Sequence, residues 1–299
     1  MKSVTTSDER VWAALAHGAI LLFGFGMIAS LVIWITQRKK SAYVAFQSLQ
    51  ALLYQTLQSV VFMLVGLVIA IFDLILATIL ALFIRNTGAG NHITPFLLVE
   101  IIPVIFLFVL IGLYYLVGLV AAGLCLAGRQ ARYPWLGGWL AGYLNRDPER
   151  LEERQDRVVA CACHLGAFIS IWGIALPVIA WLSEKGRSAM LRFQGLQAMI
   201  YQLIGLAFTI LLVLVAFAMQ LFSTLVFFLA IPAPNPSNIH WVFILTMLPL
   251  LALFCIFALT LLLGPLYQTF ALIAAWQVSH DRDYRYPLLG KWLAIRLKT

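Results

Sequence analysis

Long apolar runs alternate with short polar segments along this chain. About 20 apolar residues are enough to cross a bilayer, and four runs exceed that length. They cover residues 49–84, 95–128, 196–231 and 241–278. Each run predicts a membrane-spanning helix that tilts or projects beyond the hydrocarbon. Two shorter apolar segments, 11–36 and 158–183, precede the first and third runs.

The order of these elements repeats. Residues 10–57 align without a gap on 157–204, and residues 129–140 align on 282–293 through the shared motif Arg-x-x-Arg-Tyr-Pro-x-Leu-Gly-x-Trp-Leu. The second offset is six residues longer, and the extra residues lie most simply near 231–240. We therefore predict membrane repeat 1 at 1–144, a charged cytoplasmic linker at 145–157 with a short helix from Pro148, and membrane repeat 2 at 158–299.

Composition agrees with a membrane location. The chain is 63% hydrophobic and only 11% charged, which excludes an ordinary soluble domain. Its net charge of +8 comes from residues that flank apolar segments, so we expect anionic headgroups as partners and no nucleic acid. The four cysteines, Cys125, Cys161, Cys163 and Cys255, are expected to pack between helices rather than hold a metal.

The positive charges favour one topology. If segment 11–36 crosses the membrane once, the repeats are inverted and the 20 basic residues divide nine to eleven. If the segment enters and returns on one side, 19 of them share a face and only Arg85 lies opposite. Because basic residues mark cytoplasmic loops, we predict parallel repeats with both termini at the cytoplasmic side of the cell membrane.

A shallow hairpin satisfies this topology, since 26 residues are too few for two complete crossings. The break is expected at Gly24–Gly26 in the first copy and near Gly173–Pro177 in the second, because glycine permits a sharp turn and proline ends a helix. A single tilted span is the alternative. Turns on the opposite face are predicted at 85–94 and 231–240.

Polar residues inside the apolar runs form a candidate groove. Gln47, Gln50, Tyr54 and Gln58 are three or four residues apart and share a helix face, which suggests either hydrogen bonds between helices or a hydrated vestibule. The histidines are either structural or linked to a proton or ligand. The full set comprises His17, Gln47, Gln50, Tyr54, Gln55, Asp73, His164, Gln194, Gln197, Tyr201, Gln202 and Gln220.

The repeated Arg-Tyr-Pro motif follows each last long helix. Arginine suits phosphate headgroups and aromatic side chains suit the membrane interface, so we predict an anchor that ends in a short interfacial helix, with partner docking as the alternative. The anchor residues are Arg129, Arg132, Tyr133, Pro134, Trp139, Arg282, Arg285, Tyr286, Pro287 and Trp292.

The motifs resemble a known family. An Arg-x-x-Ala-x-x-x-His segment, a glycine break, a tryptophan before a basic turn, Phe-Gln-x-x-Gln-Ala and a closing Arg-Tyr-Pro are similar to small prokaryotic membrane proteins of the Tic-twenty-like family, named for a chloroplast inner-envelope import component. This interpretation places magnetosome membrane proteins in the same family. The resemblance implies a tandem fusion and a membrane location, with the family pattern carried by His17, Trp34, Phe46, Gln47, Arg132, Tyr133, Pro134 and their counterparts.

No catalytic motif was found, and no cofactor is expected. The sequence therefore predicts an all-α, polytopic membrane protein with no enzymatic activity. It would be a scaffold, assembly or translocation-type component that binds lipid or other membrane proteins. A small-solute or proton-coupled transporter is the alternative.

Overall fold

The computed structural model describes residues 5–87, 93–184, 186–230 and 236–297, in which every regular element is helical. Short 3-10 turns occupy Ala19–Phe25, Pro148–Arg150 and Gly166–Phe168. The α-helices are α1 (Ser7–Gly18), α2 (Gly26–Gln37), α3 (Ala42–Thr87), α4 (Ile93–Leu126), α5 (Leu136–Asn145), α6 (Leu151–Leu165), α7 (Ser170–Gly173), α8 (Ala175–Glu184), α9 (Ala189–Ala230), α10 (Pro236–Ser279) and α11 (Leu289–Leu297).

Four helices are long and apolar enough to cross a membrane, namely α3, α4, α9 and α10. Their most apolar stretches are only 6–17% buried within the protein, which leaves them for lipid. The prediction of a multi-pass helical membrane protein is therefore confirmed. Two of these helices begin seven residues before the predicted runs, because Ser41 and Ser188 cap them by accepting the backbone N–H groups of Val44 and Leu191.

Segment 11–36 forms two short helices that fold back on each other. The α1 helix starts with a capping box between Thr6 and Glu9. After the 3-10 turn, Ser30 Oγ of α2 donates to the carbonyl of Ala16 in α1 at 2.9 Å. Gly26 lies so close to the Ala19 carbonyl that a β-carbon would overlap it. Each helix has 12 residues, about 18 Å, and is shorter than the hydrocarbon core of a bilayer.

The corresponding segment of the second half is interrupted twice, at Gly166–Phe168 and again between α7 and α8. Gly173 packs directly on the Gly166 carbonyl, which permits no side chain on either residue. The interruption thus starts about seven residues before the predicted position, and Pro177 lies in the first turn of α8, where a missing N–H costs nothing.

Packing divides the molecule into two parts. Buried core residues extend along α3 only to Val60 and resume on α4 at Ala121, while α9 contributes no core apolar residue beyond Ala198 and α10 none before Ala271, within the described ranges. Residues 61–83 of α3 and 203–226 of α9 expose rows of large apolar side chains. The packed part therefore lies at one end of the long helices.

The segments between the main elements differ from expectation in detail. The helix predicted from Pro148 is one turn, and residues 151–157 are the start of α6. The turns predicted at 85–94 and 231–240 fall partly on residues 88–92 and 231–235, which lie outside the described residues, as does the side chain of Arg85.

Candidate functional site

His17 lies at the centre of a buried polar cluster that joins three elements. Its Nδ1 is 2.8 Å from the hydroxyl of Tyr133, and its Nε2 is 2.8 Å from Oε1 of Gln47 on α3. Gln50 completes this His17 cluster, whose four members are His17, Gln47, Gln50 and Tyr133. All four side chains are buried.

The glutamines bind the backbone of the connection between α4 and α5. Nε2 of Gln47 and Nε2 of Gln50 both donate to the carbonyl of Ala131 at 3.2 Å. Oε1 of Gln50 accepts the backbone N–H of Tyr133 at 3.1 Å. Two glutamines one turn apart on α3 therefore satisfy backbone groups that no helix pairs.

The donors and acceptors fix the histidine tautomer. Because Nε2 of Gln47 donates to a carbonyl, its Oε1 faces the histidine and can only accept, so Nε2 of His17 carries the hydrogen. Nδ1 then accepts from the Tyr133 hydroxyl. This neutral imidazole satisfies every polar atom of the ring and agrees with its burial.

Tyrosine stacking extends the cluster towards the exposed helices. The ring of Tyr54 stacks on Tyr133 at 4.0 Å between centroids, and its hydroxyl donates to the Tyr114 carbonyl on α4 at 3.2 Å. The predicted glutamine face thus lies against protein from Gln47 to Tyr54.

The second half contains the same arrangement. The His164 cluster consists of His164, Gln194, Gln197 and Tyr286, with His164 Nδ1 at 3.1 Å from Tyr286 and Nε2 at 3.0 Å from Gln194. Gln194 and Gln197 donate to the Tyr284 carbonyl, and Gln197 accepts the N–H of Tyr286. Tyr201 stacks on Tyr286 at 3.9 Å.

A glycine in each motif accommodates these glutamines. A β-carbon on Gly137 would overlap Oε1 of Gln50, and one on Gly290 would come within 2.6 Å of Oε1 of Gln197. Trp135, which precedes α5, and Leu288, which precedes α11, adopt positive φ angles of 60° and 64°. The connections that precede α5 and α11 therefore each adopt one specific backbone conformation.

Gln55 and Gln202 belong to the hairpins instead. Gln55 donates to the Ala16 carbonyl and to Ser30 Oγ, and Gln202 donates to the Cys163 carbonyl at 2.7 Å. Each bridges its long helix to the break in the preceding short helices. The Oε1 atom of each is buried and has no partner within the described part of the chain.

Asp73 and Gln220 are remote from both clusters. Asp73 lies 18 residues after Gln55 on α3, about 27 Å along the helix axis, and is half-buried, whereas Gln220 is exposed on α9. The structure therefore does not bring the acid to a histidine.

The predicted anchor residues separate into two groups. Tyr133 and Tyr286 are inside the clusters, so their hydroxyls do not face headgroups, and Trp139 is half-buried. The other members of the set are exposed: Arg129, Arg132, Pro134, Arg282, Arg285, Pro287 and Trp292.

Sequence reasoning missed a group of ion pairs that joins the halves. Arg38, before α3, binds Asp156 of α6 at 2.6 Å, and both side chains are buried. The next residue, Arg157, lies 3.3 Å from Asp283 and 3.7 Å from Asp281. On the outer face of α6, Arg150 lowers the pKa of Glu153 to about 2 by pairing with it. The alternating charges of 150–157 were the available signal, but they were interpreted as a charged linker between the repeats.

Among the described residues, no three His, Cys, Asp or Glu side chains are grouped so as to hold a metal ion. Cys125, Cys161 and Cys163 are buried, and Cys255 is exposed.

Comparison with known proteins identifies the family. The model of the magnetosome magnetite crystal formation protein family, MamF/MmsF, matches residues 8–140 and 155–293. The chain belongs to the MamF/MmsF family. The Tic-twenty-like assignment is therefore wrong, since that is a different family and does not include MamF/MmsF. The motifs behind it were short, whereas the MamF/MmsF model matches nearly the whole chain. No curated protein and no solved structure matches.

Proposed function

We propose that this chain is a non-enzymatic membrane scaffold that supports magnetite crystal formation in the magnetosome. The family description supplies the process. The observation that carries the scaffold role is the use of the polar residues. In both clusters, histidine, glutamine and tyrosine side chains hold helix connections in place, and none of the eight cluster side chains is exposed.

The proposal includes parallel membrane repeats with both termini on the cytoplasmic face. It is supported by the ion pairs, because the start of α3, the start of α6 and the end of α10 meet through Arg38–Asp156 and Arg157–Asp281. Inverted repeats would put the starts of α3 and α9 at opposite faces, and the packed part would then not gather the charged ends of both halves.

Re-entrant hairpins follow from the same arrangement. The tips of the short helices expose Leu21 and Leu22 in the first half and Ile171 and Trp172 in the second. Phe25 contacts Trp172 at 4.4 Å between ring centroids, so the two tips lie side by side. We infer that both tips enter the same leaflet, while α5 and α11 lie in the headgroup layer.

The surface offers basic side chains to lipid or protein. Arg132 and Arg285 are exposed on the two connections that the clusters hold. Guanidinium groups at corresponding positions suit anionic headgroups or an acidic partner protein.

Transport is the weaker alternative. The hydrogen-bonded chain from Tyr133 through His17 and Gln47 ends on the Ala131 carbonyl, which cannot pass a proton on. Asp73 is too distant to extend it.

The test uses a magnetite-forming cell from which the gene is deleted. Wild-type protein and the control Gln220→Leu are expected to restore crystal size in electron micrographs. Arg132→Ala combined with Arg285→Ala should reach the membrane in normal amount but fail to restore it. Proton or iron flux into vesicles that contain the purified protein, abolished by Asp73→Asn, would establish transport and overturn the scaffold.

A further inference from the structure

A cavity of about 150 Å³ opens between the first hairpin and the α3–α4 pair. Gly24 and Met27 line it from the hairpin, Gln55 and Gln58 from α3, and Tyr114 and Tyr115 from α4. A cavity of this volume accommodates a group about as large as benzene. None of the described residues that line it is charged.

Two amide atoms of the lining residues have unmet hydrogen-bonding capacity. Oε1 of Gln55 and Nε2 of Gln58 are buried and have no partner within the described part of the chain. Gln55 is held in place because its own Nε2 donates to Ala16 and Ser30. Oε1 of Gln55 requires a donor and Nε2 of Gln58 requires an acceptor. A buried polar group without such a partner lowers the stability of the folded protein.

The second half differs at the corresponding position. Gly205 stands where the first half has Gln58, and a β-carbon on it would come within 2.7 Å of the Tyr267 ring. Tyr267 stacks on Tyr201 at 4.6 Å and 3°, whereas Tyr114 lies 5.3 Å from Tyr54 at 20°. The first half has a side chain at this position, whereas in the second half the Tyr267 ring lies against Gly205, so the two halves differ specifically here.

The cavity lies where the packed part meets the exposed apolar helices. Its α3 residues span 55–62, and core burial on α3 ends at Val60. Tyr114 and Tyr115 beside it are of the type that concentrates at membrane interfaces. A lipid that packs on the exposed apolar helices can bring its glycerol and ester groups to this boundary.

We propose that the cavity binds the glycerol end of a neutral lipid with a free hydroxyl beside an ester, of the diacylglycerol type. A hydroxyl donates to Oε1 of Gln55 and accepts from Nε2 of Gln58, which meets both needs with one group. A phosphate would be buried without a cation, which is unfavourable. The acyl chains extend over the exposed apolar surface of α3 and α4.

The test reconstitutes the full chain in nanodiscs of phosphatidylcholine with a diacylglycerol that carries a photoreactive acyl chain. Mass spectrometry quantifies labelling of α3 and α4 peptides after irradiation. We expect saturable labelling that exceeds labelling by a phosphatidylglycerol with the same chain. Gln58→Leu should lower it about fivefold, the effect of one neutral hydrogen bond, and Gln58→Gly should abolish it. Gln220→Leu is the matched control and should label as the wild type does.

A second experiment uses only the wild-type protein, so its result does not depend on whether the variants fold. Unlabelled lipids compete with the photoreactive diacylglycerol for labelling. Unlabelled diacylglycerol should compete about fivefold better than its analogue with a methylated hydroxyl. Equal competition, equal labelling by phosphatidylglycerol, or non-saturable labelling would overturn the proposal, the last because only water or bulk lipid then fills the cavity. Unchanged labelling of a folded Gln58→Leu protein would overturn it as well.

Discussion

The hydroxyl oxygen of Tyr133 lies 2.8 Å from Nδ1 of His17, although 116 residues separate them in sequence. The bond joins the connection after α4 to the first helix of the chain. Around it, Gln50 satisfies the backbone N–H of Tyr133, so side-chain and main-chain contacts hold the same residue. Stability of the packed part should therefore be sensitive to these contacts.

Replacement of Gln50 by leucine should destabilise the protein by about 1–3 kcal/mol, because the N–H of Tyr133 is left buried and unpaired. Hydrogen exchange measures the effect locally, and we expect the amide of Tyr133 to exchange faster. Gln220→Leu, on an exposed part of α9, is the control and should leave this amide unchanged. Equal protection of Tyr133 in the Gln50 variant would show that the amide contact is dispensable.

Two adjacent glycines of α5 should respond differently to alanine. A β-carbon on Gly137 overlaps Oε1 of Gln50, whereas one on Gly138 meets no atom within 4 Å. We expect Gly137→Ala to lower the free energy of unfolding by about 1–3 kcal/mol, as overpacking does. Gly138→Ala should be neutral or slightly stabilising, since alanine favours helix. Thermal unfolding in detergent compares the two, and similar melting temperatures would contradict the assigned geometry.

Loss of one partner of the Arg38–Asp156 pair should be more harmful than loss of both. The side chains are 5% and 8% exposed, so Asp156→Ala leaves the guanidinium of Arg38 buried without this carboxylate and should cost about 3–5 kcal/mol. Arg38→Met combined with Asp156→Leu should recover most of this. The exposed pair Arg150–Glu153 is the control, and Arg150→Gln, which leaves the bond between Glu153 and Arg157 in place, should cost less than about 1 kcal/mol. A double-mutant cycle in chemical denaturation yields the coupling, and additive effects would mean that the pair contributes little.

Cysteine labelling tests the parallel arrangement. In a variant without the four native cysteines, Lys40→Cys and Gly186→Cys should both be protected from an impermeant reagent added outside intact cells, and Gly90→Cys should react. Lys40 and Gly186 are exposed in the structure, which makes them better probes than the partly or fully buried serines beside them. Reaction of Gly186→Cys together with Gly90→Cys would show that the second half is inverted.

Sequence predicted the long helices because their apolar content leaves few alternatives. It also placed Gln47 and Gln50 on one face, but the spacing could not show what that face contacts. Their partners are backbone groups of Ala131 and Tyr133, and because nearly every residue type carries the same backbone groups, the sequence does not reveal such contacts. Tyrosine is equally suited to an interface and to a buried hydrogen bond, so the position of Tyr133 depended on the fold.

The buried contacts of the charged segment 150–157 were missed for a related reason. Its alternating charges are typical of a solvated helix, yet Arg154, Asp156 and Arg157 are buried because partners from both halves reach them. Such long-range compensation cannot be derived from local composition. Family assignment from short motifs failed similarly, since a few shared residues do not distinguish one family from another.

Two consecutive residues of α6 pair with opposite ends of the chain: Asp156 pairs with Arg38, near its start, and Arg157 pairs with Asp283, near its end. A gene split between Asn145 and Leu151 would place Arg38 and Asp156 on different polypeptides, so that neither polypeptide would carry the complete ion pair. The uninterrupted chain keeps the two halves in a fixed one-to-one ratio and at permanent contact distance, whatever the level of expression.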